Sequence, residues 1–297
     1  SVAYIFNGAD AVIGQGVGAV NLGDNQWIGS LTEVSQDDGY WVKVSSASTI
    51  IHGAAEPVSY DDDGEVTYGI DYGNNLVSYP FSSAQDLSSA LGDAAADIYA
   101  VAGQGVAALN SENGWVGSLT AFEGGKGYWL VATNEDGFDF NFGGHGSLAR
   151  SSQQAMLRAV PEAYSYVQSD QQAFFFVENA TIRGAALEEE DIVIAYNGDV
   201  IVGSRYWNGE LTDVPAIGVD SEGGEMFAGY SEAGDKISFK VLDASSGELV
   251  DMDATGNIEW NDMGISVVNL TERILPIEVS LSNAYPNPFN PSTMVSY

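Results

Sequence analysis

Apolar residues in this chain come in short runs, such as Ala11-Val12-Ile13, Trp27-Ile28 and Tyr128-Trp129-Leu130-Val131, separated by Gly, Asn and Asp. Runs this short, rich in β-branched and aromatic side chains and bounded by turn formers, predict strands. Ala173–Val177, Asp191–Tyr196, Asp199–Gly203 and Ile237–Leu242 read as further strands, and Asn197-Gly198 between two of them is a hairpin signal. Two stretches depart from this pattern. Ser82 to Gly92 predicts a short helix, with Ser83 as N-cap, Leu87 and Leu91 four apart on one face, and Gly92 at the stop. Leu148 to Val160 collects Gln153, Gln154, Met156, Leu157 and Arg158 ahead of Pro161 and predicts a short connecting helix.

The first half of the chain repeats itself. Gly14-Gln15-Gly16-Val17-Gly18-Ala19 returns as Gly103-Gln104-Gly105-Val106-Ala107-Ala108, and Trp27-Ile28-Gly29-Ser30-Leu31 as Trp115-Val116-Gly117-Ser118-Leu119. Gly39-Tyr40-Trp41-Val42 returns as Gly127-Tyr128-Trp129-Leu130, and both tryptophan pairs are 88 residues apart. A constant offset of this kind marks a duplicated unit. Ahead of the second copy stands a strand, Asn75–Phe81, and then the helix. In the first copy Val2 to Gly8 corresponds to the end of that helix, and the strand before it is expected to be missing. The layout expected is a first repeat module over 1–60, a second over 61–140, a Gly-rich hinge and short helix over 141–162, a β-sandwich over 163–277 and a terminal segment over 278–297. The fold class is mainly β: two duplicated small β-rich modules, each with a short helix, followed by an antiparallel β-sandwich.

The terminal segment, Tyr285-Pro286-Asn287-Pro288-Phe289-Asn290-Pro291-Ser292-Thr293-Met294-Val295-Ser296-Tyr297, cannot be helical with three prolines, and its last residues form a β-prone run. It resembles the opening of the type IX secretion sorting domain. That resemblance implies export and an extracellular or cell-surface location. The sorting domain normally continues for several more strands, whereas this sequence stops on the first, and no signal peptide stands at Ser1. A processed chain is the expectation. Gln168-Ser169, Gln172-Ala173-Phe174, Asn197-Gly198-Asp199, Val202 to Trp207, Asp213-Val214-Pro215 and Gly234-Asp235 resemble a module that often precedes the sorting domain in large secreted bacterial proteins. The role this implies is spacing or display. Arg205 beside Trp207 reads as a structural ion-pair or cation–π device.

Charge and residue inventory narrow the function. Forty-two acidic against nine basic residues give a formal charge of −33, which disfavours nucleic acid and anionic membranes as partners. No apolar run is long enough for membrane insertion, and zero cysteines exclude disulfides and thiolate chemistry. The glycines after Ala11-Val12-Ile13 lack the following helix of a dinucleotide loop, so they read as tight turns. His52 and His145 are the only imidazoles, and no Gly-x-Ser-x-Gly or His-Glu-x-x-His motif is present. The chain is expected to be non-catalytic and without an organic cofactor. Asp61, Asp63 and Glu65 are the candidate ligands for calcium, with a plain solvated acidic turn as the competing reading. Trp27, Trp41, Trp115 and Trp129 suit either a core or a sugar-stacking platform.

Two functions follow. Met294-Val295-Ser296-Tyr297 nearly reproduces Leu76-Val77-Ser78-Tyr79, the strand that opens the second repeat. The first reading is a structural or adhesive filament protein, a head-to-tail homo-oligomer in which Thr293, Met294, Val295, Ser296 and Tyr297 enter the first module of the next subunit beside Val2, Tyr4 and Phe6. The second is a non-catalytic region of a secreted hydrolase that binds polysaccharide.

Overall fold

Short apolar runs separated by turn residues become three larger sheets in succession, with two two-stranded ones beside the middle sheet. The computed structural model describes residues 1–6, 8–47, 66–143, 154–220 and 223–274. After α1 (Val2–Ile5), the N-terminal sheet contains β1 (Ala11–Gly14), β2 (Val17–Asn21), β3 (Trp27–Gly29) and β4 (Trp41–Lys43), in the order β3-β2-β1-β4. All its pairings are antiparallel. Val2 and Phe6 turn inward and bury against Val12, Ala19 and Leu31.

The middle segment supplies β5 (Tyr68–Ile70), β6 (Gly73–Ser78), β7 (Gln85–Asp86), α2 (Leu87–Leu91), β8 (Ile98–Gly103) and β9 (Val106–Ser111). It continues with β10 (Gly114–Gly117), β11 (Ala121–Phe122), β12 (Gly127–Ala132) and β13 (Phe138–Phe140). Its main sheet runs β10-β9-β8-β12-β6, while β7 pairs with β11 and β5 with β13. The N-terminal and middle sheets therefore share one strand order, with one more strand at the β12 edge of the second. Gly29 and Gly117, at matching places, sit at φ 141° and 124°. A Cβ at either would collide with a carbonyl oxygen on the neighbouring strand, of Gly18 and Ala107 respectively, which accounts for glycine in both Trp-x-Gly-Ser-Leu stretches.

The middle core is aromatic. Phe122 is fully buried, with its ring stacked on Tyr79 at 5.5 Å and edge-on to Tyr128 at 4.8 Å. Burial of one such ring contributes about 1.5–3 kcal/mol. Phe140 and Phe142 join this core, so the module extends to the start of the segment expected as a hinge. The helix is shorter than predicted and its cap is different. Asp86, not Ser83, is the N-cap and accepts the Ser89 N–H at 2.9 Å, because the helix begins only at Leu87. Gly92, at φ 51°, is the C-cap of the helix as expected, and it also opens a 3-10 turn (Gly92–Asp97).

The expected connecting helix does not form over its described part, 154–160, which runs without regular structure to a 3-10 turn at Glu162–Tyr164. Intrinsic preference yields here to tertiary hydrogen bonding, since the Gln154 amide is bound to the β10–β11 connection. The C-terminal sheet contains β14 (Gln172–Ile182), β15 (Ala185–Ala186), β16 (Ile192–Asn197), β17 (Val200–Tyr206), β18 (Thr212–Ile217), β19 (Ser238–Asp243), β20 (Glu248–Gly256) and β21 (Ile265–Glu272). It is one mixed eight-stranded sheet in the order β15-β14-β21-β20-β19-β16-β17, with β18 on β14. The pattern expected here was wholly antiparallel, but β14 and β21 run parallel. The hairpin signalled by Asn197-Gly198 forms between β16 and β17, with Asn197 paired to Val200 and Gly198 and Asp199 as the turn. No described helix is long and apolar enough to cross a membrane.

One face of the middle sheet is built for the C-terminal sheet. Ala100, Ala102 and Ala107 leave room for the rings of Phe174 and Phe176, and Leu109 and Met263 complete a buried layer between the two. Small residues on one side and large ones on the other let the surfaces interlock at interior density.

Candidate functional site

The β4 edge is where the two like-ordered sheets differ. β12 pairs with β8 on one side and with β6 on the other. β4, in the corresponding place, pairs with β1, and no described strand lies along its other edge. Its lead-in is occupied. Asp38 bridges to Val77, the Gly39 N–H donates to the Leu76 carbonyl at 3.1 Å, and the Ser78 N–H donates to the Asp37 carbonyl at 3.0 Å. The unpaired stretch is thus Trp41–Lys43. It borders a groove of about 620 Å³ lined by Tyr40, Trp41 and Val42 from the N-terminal segment and by Gln104, Gly127 and Trp129 from the middle one, among others. An open strand edge offers backbone donors and acceptors to any extended segment that fits beside it.

Glutamine amides substitute for strands at three places around this groove. Gln15 donates from Nε2 to the Asn74 carbonyl and accepts from the Leu76 N–H, both at 2.9 Å, along the outer edge of β6. Gln172 donates to the Gly103 carbonyl at 2.8 Å and accepts from the Gly105 N–H at 3.0 Å. Gln154 donates to the Ser118 carbonyl at 2.6 Å and accepts from the Thr120 N–H at 2.9 Å. Each amide spans a carbonyl and an N–H two residues apart, as a neighbouring strand would. Sequence reasoning missed this use, because nothing in the pattern distinguishes such a glutamine from a solvated one.

A buried ionic network joins the middle and C-terminal sheets. Asp213, 2% exposed, accepts from the Ser118 N–H at 2.7 Å, the Ser118 hydroxyl at 2.6 Å, the Ala107 N–H and the Arg205 guanidinium at 3.2 Å. Arg205 also donates to the Gly105 carbonyl at 2.7 Å and the Asp213 carbonyl at 2.9 Å. Burial pushes the Asp213 carboxyl above its ordinary range, with Arg205 and Ser118 pulling the other way. Arg205 is therefore the ion-pair device expected from its sequence setting, and its partner is Asp213. The Arg–aromatic contact in this area belongs to Arg158, 3.8 Å from the Tyr206 ring centroid.

The sequence-predicted residues divide into those placed and those outside the described residues. Asp61, Asp63, Glu65, Thr293 to Tyr297, His52 and His145 lie outside them. Val2 and Phe6 are buried in their own core, and Tyr4 is 66% exposed. All four repeat tryptophans are half-buried. Trp27 and Trp115 pack on their module cores and Trp129 on the middle to C-terminal layer. Trp41 and Trp129 line the groove, and the Trp129 Nε1–H is buried without an acceptor. Among the described residues no group of three or more His, Asp or Glu side chains could hold a metal ion. Comparison of the chain with protein-family models, curated proteins and solved structures returned no match.

Proposed function

We propose that the chain is a non-catalytic extracellular structural protein, exported by the type IX route and assembled head to tail. In this reading the N-terminal and middle sheets are two copies of one module, followed by a sandwich-like unit. The joint is the terminal segment Thr293–Tyr297 of one subunit lying along β4 of the next. The single observation that carries the reading is the unpaired edge at Trp41–Lys43, in the position where β12 holds β6. Supporting it, the terminal Met294-Val295-Ser296-Tyr297 nearly repeats the Leu76-Val77-Ser78-Tyr79 of β6. Applying the β6–β12 register to β4 sets Met294 opposite Trp41 and Thr293 opposite Val42. A head-to-tail contact of this kind does not close on itself and builds a fibre.

Negative-stain microscopy of the purified chain, with and without residues 293–297, tests it. Fibres from the full chain and dispersed particles from the shortened one are expected. Dispersed particles in both, or fibres in both, overturn it. A second reading, polysaccharide binding, is favoured by the two half-buried indoles, Trp41 and Trp129, that line the groove. It predicts retardation in a polysaccharide gel that Trp41→Ala abolishes.

A further inference from the structure

We infer that the cavity between the irregular stretch 155–158 and the β17–β18 connection binds a neutral saccharide, an assignment independent of the strand-exchange reading. The cavity has a volume of about 310 Å³, and three stretches supply most of its wall. Ser118 and Thr120 come from the β10–β11 connection, Arg205, Asn208 and Glu210 from the end of β17 and the loop after it, and Ala155 to Arg158 from the irregular stretch. That stretch is tied down at both ends. The Ala155 N–H donates to the Thr120 hydroxyl at 3.0 Å, and the Arg158 guanidinium donates to the Glu190 carboxylate at 2.5 Å and lies over the Tyr206 ring. Walls fixed in this way make a preformed cavity, at the lower end of the roughly 300–1,000 Å³ of small-molecule sites and large enough for a short saccharide.

Arg205 sets the chemistry. It is 9% exposed, and its Nε and Nη2 are taken by the Asp213 and Gly105 carbonyls and the Asp213 carboxylate. Its Nη1 makes no hydrogen bond among the described residues and is not sealed from solvent, on a residue that lines the cavity. That nitrogen calls for an acceptor oxygen. Nearby, the side chains of Asn208, Glu189 and Glu210 line the same cavity and have no described partner, so they offer an amide and two carboxylates to a ligand. Charge then selects among ligands. Glu189, Glu210 and Asp213 outnumber Arg158 and Arg205 in the wall, and each arginine already faces a carboxylate, so an anion is repelled. A cation would meet Arg205. An uncharged ligand that accepts from Arg205 and donates to Glu189 or Glu210 carries several hydroxyls, and Met156, 98% exposed, and Leu157 give its C–H face an apolar surface.

Nuclear magnetic resonance of the full chain, observing backbone amides and arginine side chains, tests this by titration with maltose, cellobiose, lactose and chitobiose. A concentration of about 10 mM nearly fills a site of about 1 mM affinity. At least one of these sugars is expected to shift the signals of Asn208, Glu210 and the Arg205 guanidinium. Joint replacement Asn208→Ala and Glu210→Ala is expected to weaken that sugar about tenfold, the worth of one such hydrogen-bonded contact. Both side chains are exposed, so their replacement leaves the fold intact, and an otherwise unchanged spectrum checks that. Trp41→Ala, in the groove, is expected to leave this binding unaltered. No shift with any of the sugars, shifts confined to Tyr40–Val42 in the groove, or equally tight binding of the dianionic digalacturonate overturns the assignment and leaves strand exchange in place.

Discussion

Asp213 satisfies four donors from two sheets, and each of them is left without its acceptor when the carboxylate goes. Asp213→Ala is expected to destabilise the chain by about 3–5 kcal/mol, because Arg205 becomes an uncompensated buried charge. Urea unfolding would register this as a lower midpoint at unchanged slope. Joint replacement of Arg205 and Asp213 by apolar residues of similar volume is expected to cost much less. Arg205 was legible in the sequence as a scarce base among many acids. Asp213 was not identified as its partner, since an aspartate in an acid-rich chain carries no mark of burial. The same holds for Gln15, Gln154 and Gln172, whose role depends on carbonyls that sequence does not place.

The β19–β20 hairpin is closed by a different device. Asp243 accepts from the hydroxyls of Ser245 and Ser246 at 2.7 and 2.8 Å and from the Ser245 N–H at 2.9 Å. Those hydroxyl bonds, ahead of the backbone ones, lower its carboxyl to about 2. A depressed carboxylate contributes stability above its unfolded pKa and loses it as pH falls through the folded value. The turn is therefore expected to loosen between about pH 4 and pH 2, seen as faster hydrogen exchange at Ser245 and Ser246. Asp243→Asn should lose that pH dependence. At the scale of elements, alternation and turn residues made β6, β14, β16, β17 and β19 readable. β18 escaped because Pro215 argues against a strand, which it tolerates by pairing with β14 alone. β20 escaped because little of it is buried, with Met252 its one fully buried residue.

Over the whole molecule, basic residues are spent on internal pairs. Among the described residues every Lys and Arg except Lys236 makes an ion pair, and one of these, Lys43 to Asp220, ties the N-terminal sheet to the C-terminal part of the chain. With a formal charge of −33, the remaining carboxylates repel one another. Raising salt from about 0.01 to about 1 M shortens the screening length from ~30 to ~3 Å. The melting temperature is expected to rise by roughly 5 °C across that range. A falling or flat melting temperature would mean that the surface pairs outweigh the repulsion. The repeat of 88 residues announced two like units, yet the way they meet could not be read from it. Part of their junction is main-chain atoms held by Gln15, whereas the next one adds to the Gln172 grip the buried alanine–phenylalanine layer and the Asp213 network. A grip on carbonyls and amides makes no demand on the side chains of the gripped segment. As far as the Gln15 contact is concerned, substitutions can accumulate in β6 without a matching change across the junction, so units joined this way are free to diverge while staying joined.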